Sequence, residues 1–586
     1  MPGMAAGRAR QAAKPCDFRR PSAGDSAGAP PAQSGKVTAL SEINEQTRKT
    51  NRETSMKTLR SNTHWLAAGL MAGTTALSPA FAQEDEVTIT AVMHSGLRVL
   101  DPVITTAHIT RNHGYMIYDV LTAVDADFTP QPQMADWEIS EDGLVYTFTL
   151  RDGLMFHDGA PVTGADVVAS LTRWGDRDSG GQLIFDVTES LEAPDDSTIV
   201  WTLSEPFPPL MDVISKQSAV PPFIMPARVA ETPPSETITE YVGSGPFVFN
   251  EGEYEPGVSV TYEKFDDYVP RDGEVSWMAG PKEVKVDRVV WTTMPDNLTA
   301  INALVAGEID YIEQLSIDLL PILESSPDVA VEMRDPLGYV TIGRPNHLHP
   351  PFDNKLIRQA AMDALSQENM LATMQGNPEY YNVCGAIFGC ATPLGDETGS
   401  EPVTGGADIE AAQAKLEEAG YDGTPIVLMA PTDVVSLMNQ PVVAAQALRE
   451  AGFEVDMQSM DWQSVVQRRA QQNTIEDGGW NMFFTNWMVP EVSDPLINVM
   501  VNGRGDDAWF GWPDDPEIEE MRAAFVKATT PEEQKAIAVD IQAHVMDNVN
   551  YIMMGEYLIP QARRTTIENM IPSPVPVFWN MEKTSE

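Results

Sequence analysis

The alternation of apolar and polar positions divides the chain into segments of two different periods. From Leu144 to Leu150 (LVYTFTL) large apolar residues recur at every second position, the period of a half-buried strand, and Arg151-Asp152-Gly153 ends it in a turn. A second turn is expected at His157-Asp158-Gly159, and Thr163-Gly164-Ala165-Asp166 then opens a helix through Leu171 and Trp174. From Asp353 to Leu371 the period lengthens: Leu356, Ile357, Ala360, Ala361, Ala364 and Leu365 fall on one helical face.

Beyond residue 400 the two patterns alternate. Helices at 409–419, 442–451 and 462–471 each precede a strand, at 425–430, 454–460 and 480–487 respectively. Strands separated by short helices predict a parallel sheet covered on both faces, with a ligand beyond the strands' carboxyl ends. The last strand runs into Phe483-Phe484-Thr485-Asn486-Trp487-Met488-Val489-Pro490, and its Phe-Phe portion reads as core while the part from Trp487 onward reads as cleft wall. A long helical region is expected from Pro516 to Asn548. The pattern as a whole is mixed α/β.

Length and charge narrow the picture. At 586 residues the chain exceeds the ~250–300 at which single hydrophobic cores stop growing, so at least two lobes are expected. Residues 83–586 carry 27 Lys/Arg against 81 Asp/Glu, a net charge of -54. Such a surface repels phosphate backbones and anionic headgroups, which argues against nucleic acid as a partner and against peripheral membrane attachment.

Residues Met56 to Ala82 have a basic start (Lys57, Arg60), an apolar run from Trp65 to Leu77 and a closing Ala80-Phe81-Ala82. These are the parts of a secretory signal peptide, cleaved after Ala82; the 13-residue apolar run is too short for a membrane core that needs ~20 residues. Translation is expected to start at Met56, leaving residues 1–55 as an over-extended or disordered segment. In an oxidising compartment the pair Cys384 and Cys390 in CGAIFGC is expected to form a disulfide; zinc would require two further ligands.

Several motifs, in order, carry a family resemblance: Leu150-Arg151-Asp152-Gly153-Leu154, Phe156-His157-Asp158-Gly159 with Asp166, Gly243-Ser244-Gly245-Pro246-Phe247, and Pro351-Phe352-Asp353-Asn354 with Ile357-Arg358-Gln359-Ala360. With them the chain resembles the dipeptide-, oligopeptide- and nickel-binding proteins of bacterial ABC importers over nearly all of residues 87–586. The resemblance implies a two-lobed periplasmic binding protein fold of the large type II cluster, with an extra subdomain in lobe I. Lobe I would comprise residues 83–335, lobe II 336–549, and residues 550–586 would return to lobe I. It further implies a periplasmic receptor, expected as a monomer, that captures a small organic solute, peptide-like or amine-bearing, and hands it to an inner-membrane permease. No cofactor is expected.

In peptide-binding members a Trp at the end of a lobe II strand is followed three residues later by an Asp that pairs with the peptide's ammonium. Trp487 matches the Trp, but Pro490 stands where the Asp would be. The Arg that dipeptide binders use for the carboxylate is also missing from Pro431-Thr432-Asp433-Val434-Val435. The expected ligand contacts are therefore Trp487 and Trp462 as apolar walls, Asn486, Asp433 as a carboxylate for a cationic group, Asp494 as a substitute for the lost Asp, and His94 with Ser95 from lobe I. A metal or metal-chelate ligand is the alternative, motivated by His347-x-His349. A hydrolase is the third option, and no G-x-S-x-G, H-E-x-x-H or P-loop motif supports it.

Overall fold

The computed structural model describes residues 86–585, and the signal peptide, its cleavage point and residues 1–55 lie outside them. Two large sheets organise the described chain. The first is seven-stranded, in the order Phe247–Glu255, Ser259–Lys264, Arg288–Thr292, Thr88–Val92, Tyr311–Ile312, Gln561–Arg564, Val329–Glu332. The second is six-stranded, in the order Tyr381–Asn382, Ile552–Tyr557, Tyr339–Pro345, Met482–Met488, Ile426–Pro431, Val455–Met460. Each sheet has its own apolar core, one around Tyr118, Tyr262 and Phe578, the other around Phe352, Trp480 and Phe484. These are the two lobes. A four-stranded sheet containing Val145–Leu150 packs with the helix Gly164–Gly175 around Phe148, Trp174 and Trp201, as a subdomain of the first lobe.

The three strands that the alternation of helices and strands predicts to be parallel are parallel: Ile426–Pro431 pairs in that sense with Val455–Met460 and, at Leu428 and Met482, with Met482–Met488. The second sheet becomes mixed beyond them, where Met482–Met488 pairs antiparallel with Tyr339–Pro345 along its whole length. The cause is that Tyr339–Pro345 enters directly from the first lobe, with no crossover helix to reverse it. Ile552–Tyr557 also pairs with Tyr339–Pro345, so the return to the first lobe begins after Tyr557 and not at residue 550. The single helix expected over 353–371 is two, Lys355–Ala364 and Gln367–Gln375, because Leu365 is extended and the Ser366 hydroxyl caps the second by accepting from the Asn369 N–H. The region 516–548 is likewise two helices, Pro516–Lys527 and Pro531–Asn548, parted at Pro531.

The chain crosses between the large sheets at 333–338 and again at 558–560, side by side. Tyr339 and Tyr557 are register partners and their rings stack at 5.5 Å. Gly338 has φ 73°, and a Cβ there would lie 2.5 Å from the Tyr557 carbonyl oxygen, so the close approach of the two crossings requires glycine. Cys384 and Cys390 form a disulfide, and the Cys390 N–H donates to Glu556 Oε1, tying the small loop to the crossing strand.

Two of the motifs meet. His157 accepts from the Gly243 N–H through Nδ1 and donates through Nε2 to the Gly245 carbonyl, while Gly245 N–H donates to the Ile117 carbonyl. A Cβ at Gly243 would fall 1.7 Å from that same Ile117 oxygen. Both motifs thus clamp the C-terminal end of the helix His108–Ile117, whose first turn faces the second lobe. This is how residues remote from the cleft position it.

Candidate functional site

Between the lobes lies a small chamber, about 30 Å3 in volume, lined from the first lobe by His94, Thr106, His108 and Gln314 and from the second by Ser436, Trp462, Arg469, Thr485, Asn486 and Trp487. The strand Thr88–Val92 delivers His94 just beyond its carboxyl end, and Met482–Met488 delivers Thr485 to Trp487. Trp462 opens the helix Trp462–Arg469, whose N-terminus is capped by Asp461 accepting from the Ser464 N–H. Trp462 and Trp487 are 6% and 2% exposed, so the walls they present are dry.

The two histidines are fixed by carboxylates. His94 Nδ1 lies 2.7 Å from Glu313 Oε2, and His108 Nε2 lies 3.0 Å from Glu491 Oε2. Their rings meet edge-on with centroids 6.4 Å apart, and His108 also packs edge-on against Trp487 at 6.2 Å. Burial, reinforced by the Arg111 guanidinium and opposed by Glu491, holds His108 below its ordinary value. Burial pushes Glu491 the other way, but His108 and Arg111 outweigh it and keep the carboxyl below its usual range. Glu313 stays ionised against its own burial for the same reason, with His94 and Arg334 as its partners.

Glu491 answers part of the question raised by Pro490. A carboxylate does follow Trp487, one residue later than the family pattern, but it accepts from Met488 N at 2.6 Å, from Arg111 Nη1 at 3.1 Å and from His108. Its charge is spent on bonding the lobes to each other, and Pro490 itself lines a different cavity.

Of the other sequence-expected contacts, Asn486 lines the chamber with its amide committed to Ser436 Oγ (3.1 Å) and Gln440 Nε2 (3.1 Å). Ser95 is buried and accepts from Gln463 Nε2 of the opposite lobe at 3.1 Å. Asp433 does not line the chamber: its carboxylate accepts from the Trp462 N–H at 2.7 Å and so helps to position the tryptophan. Asp494 does not line it either. It sits with Pro490 and Lys216 in a separate cavity of about 180 Å3, where burial, and then the nearby Asp212, raise it to about 6. His347 and His349 do not converge, since their Nε2 atoms bond the carbonyls of Asn550 and Gln472 respectively.

Sequence reading missed His108, Arg111, Glu491, Thr106, Arg469 and Trp509. For Arg469 a signal exists: Trp462, Val465, Val466 and Arg469 stand at i, i+3, i+4 and i+7, which places the arginine on the helix's buried face. A larger cavity of about 190 Å3 abuts the chamber at Thr106 and is lined also by Trp509, Asp178 and Asn502.

The model of the bacterial extracellular solute-binding proteins, family 5, matches residues 129–507. The chain is 38% identical over 490 residues to a probable peptide ABC transporter periplasmic-binding protein, y4tO, of Sinorhizobium fredii, which covers 83% of this chain and 92% of that one. Among solved structures it is similar to AgaA of A. tumefacien R10 in complex with agropinic acid (TM-score 0.69, 21% identity, 85% of this chain and 99% of that one). It is also similar to DppA of Helicobacter pylori in complex with the peptide STSA (TM-score 0.70, 18% identity, 85% and 99%). The two-lobed fold, the interlobe chamber and the match over most of the chain lead to one conclusion: the protein belongs to family 5 of the bacterial extracellular solute-binding proteins.

Proposed function

We propose that the protein is the periplasmic receptor of an ABC importer, capturing a small organic solute of peptide-like build between its lobes and delivering it to an inner-membrane permease. The observation that carries the reading is the chamber itself, walled by Trp462 and Trp487 from one lobe and by His94 and His108 from the other. A solute there touches both lobes, so its binding free energy favours the closed form over the open one, and closure is what a permease can sense. The chamber of about 30 Å3 holds only one end of such a solute, and the adjoining cavity of about 190 Å3 takes its body. Export by the segment Met56–Ala82 and action as a monomer belong to the same reading. The activity is capture and release, without bond chemistry.

Native mass spectrometry of freshly purified protein tests the reading, with a retained small molecule as the expected result. A thermal-shift screen follows, because a ligand at 100 times its Kd stabilises by about 2.7 kcal/mol. Trp487→Ala is expected to lose that shift. A variant that keeps it in full removes Trp487 from the binding wall.

A further inference from the structure

Arg469 stands apart from every other feature of the cleft. Its side chain, on the last turn of the helix Trp462–Arg469, is 1% exposed and surrounded by rings, with the guanidinium carbon 5.1 Å from the Phe510 centroid, 5.3 Å from Trp462 and 5.7 Å from both Phe483 and Trp509. Ring faces attract the charge but accept few of the in-plane N–H groups. Its one hydrogen bond, from Nη2 to Thr106 Oγ1, is long at 3.4 Å, its Nε has no partner, and no carboxylate among the described residues lies within 4.0 Å. Burial alone lowers it to about 9.

The contrast with Arg344 shows that this is not how the fold treats a buried arginine. Arg344, equally buried, gives its donors to the carbonyls of Phe510, Met500, Asn550 and Trp509 at 2.7 to 3.2 Å. Nothing comparable surrounds Arg469.

Two further donors face the same chamber. Thr106 Oγ1 accepts from Arg469 Nη2 and from Trp509 Nε1 (3.1 Å), which occupies both lone pairs and leaves the hydroxyl proton to be donated. Trp487 Nε1 is buried without an acceptor. Two buried carboxylates at the chamber's margin, Glu313 and Glu491, face Arg334 and Arg111 respectively. The chamber therefore offers one uncompensated positive charge and several unfilled donors.

Resting on the receptor reading above, we propose that Arg469 is the receptor's anion-binding group, and that the solute carries a carboxylate which meets Arg469, Thr106 and Trp487 when the lobes close. A carboxylate is planar and acceptor-only, matching the guanidinium fork, and it is small enough for a chamber of about 30 Å3. The recognised charge on the solute is then negative, opposite to the ammonium expected from Asp433 and Asp494.

The test uses the mature protein, wild type and Arg469→Met, stripped of any retained solute by reversible denaturation. Thermal shifts are measured with acetate, acetamide, inorganic phosphate and methylammonium at matched ionic strength, and the solute released from wild type is weighed in both ion polarities. Acetate is expected to stabilise wild type and not Arg469→Met, acetamide and methylammonium neither, and the released solute is expected to be a carboxylic acid bound at least 100-fold more weakly by the variant. Ligand-free Arg469→Met is expected to melt at or above wild type, because the shorter, apolar thioether removes an unpaired buried charge. A lower ligand-free Tm with unchanged solute affinity overturns the proposal and makes Arg469 a packing residue. Stabilisation by phosphate and not by acetate overturns the carboxylate. Wild type that releases no solute and answers no organic probe refutes the receptor reading itself, a result separate from one in which solute binds the variant as well as wild type.

Discussion

Glu491 shows how one side chain links folding chemistry to transport chemistry. It bonds Arg111 and His108 across the cleft, so the opposite charges of Glu491 and Arg111 are buried together only when the lobes meet. Breaking a buried ion pair from one side typically costs about 3–5 kcal/mol, but here parting of the lobes rehydrates Arg111 and relieves part of it. Glu491→Gln is therefore expected to weaken solute affinity by roughly 100-fold, about 2.7 kcal/mol, while lowering the ligand-free Tm much less. Calorimetric titration beside a melting curve checks the split, and equal losses in both would place the pair in the fold and not in closure. His113 gives a pH dependence at the same scale. Burial holds it at about 3, with Nδ1 bonded to the Tyr262 hydroxyl, so between pH 6.5 and 3 the unfolded chain binds a proton that the folded one refuses. Its contribution to stability is lost as pH falls below 6.5, by up to about 1.4 kcal/mol per unit. Relative to a His113→Phe variant, wild type should lose stability by that slope on going from pH 6.5 to 5. A constant difference between the two would show the ring protonates within the fold. What sequence could say about such residues was uneven. Trp462 and Trp487 reach the chamber wall from the helix start and strand end where sequence places them, while both also belong to the second lobe's apolar core, whereas the bond from the Trp462 N–H to Asp433 joins residues 29 apart and carries no local signal.

Among the elements, those with a complete period were readable and their terminations less so. Val145–Leu150 and the helix Gln440–Ala451 fall within a few residues of expectation, since alternation and a C-terminal Gly452 with φ 101° mark them locally. The break between Ala364 and Gln367 turns on a Ser366 hydroxyl that caps, a local signal outweighed by the apolar periodicity running through it. The parallel run of Met482–Met488, Ile426–Pro431 and Val455–Met460 was legible in the alternation, but the antiparallel pairings of Tyr339–Pro345 were beyond local signals, because that strand's direction depends on a crossing from another lobe. The Cys384–Cys390 loop offers a test at this scale. It braces Ile552–Tyr557 through the Cys390 N–H and closes a short loop, so replacing both cysteines with serine should cost about 2 kcal/mol by loop entropy. Urea unfolding with and without reductant measures it, and a larger loss would mean the loop also sets the geometry of the crossing strand. Gly338→Ala should be costlier still, since the methyl has no space beside the Tyr557 carbonyl; failure of soluble expression or a Tm drop of several degrees is the expected outcome.

For the whole molecule the relevant quantity is the balance between open and closed lobes. Besides the buried bonds, Arg98 of the first lobe donates to Asp461 of the second at 2.7 Å on the exposed rim. Exposed pairs contribute about 0.2–1 kcal/mol and are screened by salt. Arg98→Gln should thus weaken solute binding two- to five-fold at low ionic strength and hardly at all near 0.5 M, and a salt-independent loss would show the side chain acts by packing. The bare guanidinium of Arg469 enters the same balance with opposite sign. Lobes that shut on nothing would seal an unpaired cation away from water, whereas lobes that shut on an anion would not. Vacant receptors are thereby held back from the one shape a permease accepts, and the importer is spared idle turns of its ATP-driven cycle.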